Sequence, residues 1–148
     1  MIRKAVGAIV FQKNKFLLVH KTKVNTLEGK RTVKGEWDFV KGGVEKSDKD
    51  LSDAIVRELH EETGSTKYEI VKVFDEKISF DFPKDVKVKI GYDKQETTMF
   101  LVEFFGDVHA LIPNDHEISD VTLIEKNKVV DILTHQDTKE FFIKHLKI

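Results

Sequence analysis

The chain has 148 residues, 40% of them hydrophobic and 34% charged, and its 25 Lys and Arg against 26 Asp and Glu leave a net charge of −1. That length predicts one domain, 1–148, able to bury roughly 70% of its unfolded surface without covalent staples. The absence of cysteine excludes disulfides, thiolate metal sites and a cysteine nucleophile, and the balanced charge argues against a globally basic nucleic-acid binder while leaving room for a local basic patch.

Ile2 to Phe11 is rich in β-formers and apolar on both faces. Its longest apolar stretch, Ala5 to Phe11, is about a third of the ~20 residues that a membrane-spanning helix needs. Gln12-Lys13-Asn14-Lys15 follows it in place of a small-residue cleavage site, so a secretory signal is not expected and the cytoplasm is. Asn14 marks a turn, and Phe16-Leu17-Leu18-Val19 completes a hairpin. His20 to Glu36 is polar and without periodicity. It reads as a basic loop carrying Lys21, Lys23, Lys30, Arg31 and Lys34. Trp37-Asp38-Phe39-Val40 is a short strand that stops at Gly42-Gly43.

From Asp50 the period changes. Leu51, Ala54, Ile55 and Leu59 recur at helical spacing, Asp48 or Asp50 caps the start, and Gly64 ends the helix. Strands are expected again over 68–82 and 97–105, with a charged loop from Pro83 to Glu96 between them. Pro113-Asn114-Asp115 is a turn, Ile118 to Ile124 a strand, and Asn127 to Leu133 and Thr138 to Leu146 two short helices. The order predicts the α/β or α+β class, a mixed sheet covered by helices.

The chemistry gathers in Lys41-Gly42-Gly43-Val44-Glu45 and Arg57-Glu58-Leu59-His60-Glu61-Glu62-Thr63-Gly64. On a helix, Glu58, Glu61 and Glu62 fall within roughly 100° of arc. Three like charges repel one another there, and they lie at the C-terminal half, where the macrodipole also disfavours acids. A solvated acidic face is the plain alternative, but such faces usually mix signs. Hard oxygen ligands without His or Cys suit Mg²⁺, with Mn²⁺ as its substitute, and such ions are commonly shared with substrate phosphates.

The segment Gly42 through Ser65 resembles the Nudix box. Arg57 to Gly64 matches its second half at every fixed position. The first half departs: the family's upstream glutamate falls on Lys49 counting back from Arg57, or on Asp48 counting forward from Gly42. Asp48 is preferred because it keeps the acid. The resemblance implies a Nudix fold, a mixed sheet between helices, and cleavage of a diphosphate linked to another moiety by in-line attack of water. It implies Glu58, Glu61 and Glu62 as metal ligands, the carbonyl of Gly42 or Gly43 as a further one, and Arg57 as the residue that orients the glutamates. Glu117, before the last strand, is the expected later acid; Glu96 and Glu103 are weaker alternatives.

Trp37-Asp38-Phe39-Val40-Lys41-Gly42-Gly43 is similar to the corresponding stretch of members acting on dinucleoside polyphosphates or RNA 5′ ends, with Val40 in place of proline. Lys41, Trp37 and Lys21 are therefore expected to bind substrate. Phe80, Phe82, Tyr92 and Phe105 are either base-stacking or core residues. The expected substrates are diadenosine polyphosphates or a triphosphorylated RNA 5′ end. The rivals are a nucleoside triphosphate pyrophosphatase, an ADP-ribose or nucleotide-sugar hydrolase, and a sensing domain that binds without cutting. Homodimers are frequent in the family, though nothing in this sequence demands one.

Overall fold

The computed structural model describes residues 1–26, 29–114 and 117–147, and among these the side chains outside 23–34. Strand β1 (Ile2–Gln12) turns through Lys13, whose φ of 56° lies in the left-handed region, into β2 (Lys15–Thr26). The two pair as a hairpin at Phe11–Phe16 and Gln12–Lys15. Further on, each takes new partners. β1 pairs antiparallel with β4 (Val40–Gly43) and parallel with β6 (Lys94–Phe104). β2 pairs antiparallel with β3 (Gly29–Asp38) and with β7 (Ile118–Glu125). β5 (Tyr68–Asp81) closes the far edge on β6, giving a seven-stranded mixed sheet.

Both faces of β1 are covered, which explains its unbroken apolar run. Val6, Ala8 and Val10 join Ala54, Ile55 and Leu59 of α1 (Leu51–Thr63) in one core. Ile9, pointing the other way, joins Val129 and Leu133 beside α3 (Lys126–Ile132) and Phe141 and Phe142 of α4 (Gln136–Leu146) in a second. The expected mixed sheet between helices is thus the observed one.

The apolar spacing of α1 is the reason it docks where it does. Ala54, Ile55 and Leu59 are fully buried, and a fully buried Ile or Leu contributes about 1.5–3 kcal/mol. Asp50, not Asp48, caps the start: its carboxylate accepts from the Asp53 N–H at 2.7 Å. Gly64 ends the helix at φ 72°, its N–H donating to the His60 carbonyl.

Three expectations need correction. The basic loop from His20 to Glu36 is a hairpin: β2 runs on to Thr26 and β3 begins at Gly29. Lys23, Lys30, Arg31 and Lys34 lie outside the described side chains. The charged segment Pro83 to Glu96 holds a helix, α2 (Lys84–Ile90), which buries no residue and so lacks the apolar stripe that would have marked it. The strand at Trp37 ends earlier, at Asp38, and Gly42 and Gly43 are not its stop but the end of β4, paired with Val6 and Ala5. The turn at Pro113-Asn114-Asp115 reaches Asp115, outside the described residues.

Candidate active site

The site lies where β1 and β2 part company. β4 on β1, the bulged stretch of β2 at His20–Lys21, the end of β3 and the start of β7 meet α1 around a cavity of about 1320 Å³. Glu58, Glu61 and Glu62 from α1, Gly42 and Gly43 from β4, and Glu117 before β7 form its acidic wall. Glu61 is exposed, whereas Glu62 is only 3% accessible. The expected site acids therefore do gather on one wall.

Arg57 organises this wall from beneath. Its Nε donates to Asp48 Oδ1 and its Nη2 to Asp48 Oδ2, each at 2.9 Å. Nη2 also donates to the Gly43 carbonyl at 3.0 Å, and Nη1 to Glu58 at 2.9 Å and Glu61 at 3.3 Å. The Asp48 carboxylate accepts additionally from the Glu45 N–H. These contacts give Asp48 the arginine-supporting place and leave Lys49 out of it. They hold the Asp48 carboxyl below its usual value, chiefly through the Arg57 hydrogen bonds, and raise the Arg57 guanidinium in turn. Burial pushes the Glu58 carboxyl up, while Arg57 holds it back.

A Cβ built at Gly42 would fall onto the Glu58 carboxylate, so the glycine leaves that carboxylate its present place between β4 and α1. Among the described residues, no three carboxylate or imidazole groups already stand as a metal cage; the Glu58 and Glu61 carboxylates are turned to Arg57. The donor set nonetheless fits a hard divalent cation: carboxylate oxygens on one wall, with no sulfur or imidazole among the wall residues named.

Three lysines line the same cavity: Lys21 and Lys41 near the acids, and Lys89 of α2. Burial alone would lower the Lys21 ammonium. The carboxylates of Asp38, Glu62, Glu117 and Glu58, in that order of strength, raise it instead. Away from the acids, Arg3, Phe80, Phe82 and Tyr92 line the cavity, and Arg3 Nη1 donates to Gln95 Oε1 at 2.5 Å.

Trp37 is not among the lining residues. It packs against the second core, with its ring 4.7 Å from that of His20. Phe105 and Glu103 line a separate hollow, and Glu96 lines neither. Sequence reasoning missed Arg3, Asp38, Asp137 and Thr138, whose arrival at the cavity depends on sheet pairing and helix docking rather than on local pattern.

A family model described as NUDIX domain matches residues 1–145. An RNA pyrophosphohydrolase from a Nitratiruptor species is 38% identical over 103 residues, covering 68% of this chain and 63% of the relative. Another, from Pelagibacter ubique, is 30% identical, covering 94% and 90%. Among solved structures, a MutT protein from Methanosarcina mazei Go1 superposes with a TM-score of 0.72 at 21% identity, covering 99% of this chain and 94% of that one. The chain belongs to the Nudix family, whose hydrolases generally use divalent metal ions.

Proposed function

We propose that residues 1–148 work as one Nudix domain, a Mg²⁺-dependent pyrophosphohydrolase of nucleoside polyphosphates, with Mn²⁺ as a substitute ion. The substrate is a triphosphorylated RNA 5′ end or a diadenosine polyphosphate, and the place of work in this reading is the cytoplasm. One observation carries this reading: an acidic wall, Glu58, Glu61, Glu62 and Glu117, shares one cavity with the side chains of Lys21 and Lys41. Metal ligands and a phosphate-binding pair in one cavity are what hydrolysis of a polyanion requires. The relatives described as RNA pyrophosphohydrolases support the RNA end.

Glu58, Glu61, Glu62, Glu117 and the Gly42 carbonyl would hold the ions. When bound, such ions supply charge neutralisation at the diphosphate and activation of the attacking water. Arg57 keeps the Glu58 and Glu61 carboxylates aimed at one place. Lys21 and Lys41 draw the phosphate chain into line, and one of the wall carboxylates takes the proton of the water whose oxygen replaces the anhydride oxygen on phosphorus. Every residue named comes from one chain, so the homodimer frequent in the family is compatible with a complete site in each copy.

The test is a panel of triphosphorylated RNA, diadenosine tetraphosphate, nucleoside triphosphates and ADP-ribose, with products resolved by chromatography in the presence of Mg²⁺. Release of phosphate or pyrophosphate from the RNA, or of a nucleotide from the dinucleotide, is expected. Turnover of ADP-ribose with neither of these would reject the reading, and tight binding without turnover would identify a sensor.

A further inference from the structure

Asp38 occupies an unusual place in this cavity. It ends β3, is 6% exposed, and accepts from the Phe39 N–H through Oδ1 at 2.8 Å. The same carboxylate meets two ammonium groups from two other strands. Lys41 Nζ of β4 lies 3.2 Å from Oδ1, and Lys21 Nζ of β2 lies 3.8 Å from Oδ2. Lys41 is also tied to α4: its Nζ donates to Thr138 Oγ1 at 2.8 Å, and the Thr138 N–H donates to Asp137 Oδ1 at 2.7 Å. One anion therefore stands between two cations, all three at the wall of the cavity that holds the box glutamates.

Asp38 is one anion shared by both ammonium groups, with Glu62, Glu117 and Glu58 facing Lys21 as well, and its carboxylate sets where the two ammonium groups sit. Lysine is a flexible point charge, and its rotamer freedom must be lost before two of them can grip one phosphate chain. A buried carboxylate that anchors both removes that freedom before the ligand arrives, and preorganisation of this kind is worth affinity. We infer that Asp38 is a positioning residue that fixes Lys21 and Lys41 as a two-ammonium clamp for the substrate's phosphate chain. This rests on the polyphosphate-hydrolase reading above.

The test is a double-mutant cycle with triphosphorylated RNA and diadenosine tetraphosphate. Asp38→Asn keeps the shape and the acceptor for the Phe39 N–H but removes the charge. It is expected to raise KM about tenfold with kcat little changed, the size of effect seen for coupled neighbours. In a Lys21→Ala/Lys41→Ala background the same substitution is expected to change KM less than about twofold, because the groups it positions are gone. Binding of a methylene-bridged ATP analogue by calorimetry should follow the same pattern, and Mn²⁺ binding without nucleotide should be unaffected by Asp38→Asn.

Additive losses, or weakened Mn²⁺ binding in Asp38→Asn, would overturn the inference and place Asp38 in a role of its own. An unchanged KM in Lys21→Ala/Lys41→Ala would instead overturn the assignment of the lysines to phosphate. Should Asp38→Asn fail to fold, Asp38→Glu, which keeps the charge but moves it, carries the test: a raised KM in the native background that vanishes in Lys21→Ala/Lys41→Ala supports the clamp, and additivity there rejects it.

Discussion

Arg57 and Asp48 form a two-pronged ion pair, Nε to Oδ1 and Nη2 to Oδ2, across the turn that leads into α1. The Asp48 side chain is 2% exposed, so the arginine is braced from one side while its Nη1 reaches Glu58 and Glu61 on the other. Bidentate pairing fixes the guanidinium in angle as well as in place.

The first expectation concerns acid. The Asp48 carboxyl is held below its ordinary value in the folded chain, so its contribution to stability is present above the unfolded value of about 4 and is lost as pH falls through the folded one. Asp48→Asn should remove that acid-side dependence, read as melting temperature against pH. It should also lower kcat by about 10- to 100-fold, as loss of a group supporting metal ligands does. A native-like rate would show that Arg57 holds its orientation unaided.

The carboxylates themselves are expected to be essential. Glu58→Gln, Glu61→Gln and Glu62→Gln should each lower kcat by about a hundredfold or more while the fold survives. Turnover with Mg²⁺ and circular dichroism, measured side by side, check this. Native-like rates in both Glu61→Gln and Glu62→Gln would reject the metal assignment.

Gly42→Ala tests the passage of β4 over α1. Its methyl group would land on the Glu58 carboxylate, so Glu58 must move. Activity is expected to fall by at least about tenfold, with Mn²⁺ binding weakened in calorimetry. Unaltered Mn²⁺ affinity would mean that Glu58 is free to sit elsewhere.

At the alkaline end, Tyr68 carries the expectation. Burial pushes its phenol up to about 12, against the pull of the Thr63 hydroxyl 2.5 Å away. Because the folded value exceeds the unfolded one, the stabilisation is full below about pH 10 and is lost between there and about pH 12. Tyr68→Phe should flatten that decline at a cost of about 1 kcal/mol for the lost hydrogen bond, measured by denaturation at neutral and alkaline pH.

What could be read in the sequence was whatever depends on neighbours along the chain. The i, i+3, i+4 spacing of Glu58, Glu61 and Glu62 sets their common wall, and the period of Ala54, Ile55 and Leu59 sets the buried face of α1. Glu62 departs from the simple picture, since at 3% exposure it sits on the inner flank of the helix rather than in solvent. Asp38 and Arg3 were illegible, because strand pairing brings Lys21 to one and the Gln95 side chain to the other. Trp37 shows the converse: its neighbour Asp38 lines the cavity, while its own ring packs against the second core.

The parallel pairing of β1 with β6, Ile2 against Lys94 and on to Phe11 against Glu103, has a consequence for how this chain comes off the ribosome. The strand that carries β4, and with it the glycines over α1, gains β6, its partner on the other edge, only after about two thirds of the polypeptide has emerged. Nascent chains shorter than that carry the whole Glu58–Glu62 segment yet lack the framework to hold it in place, so catalytic competence should switch on late in translation, in one step, and folding should be slow for a protein of this size.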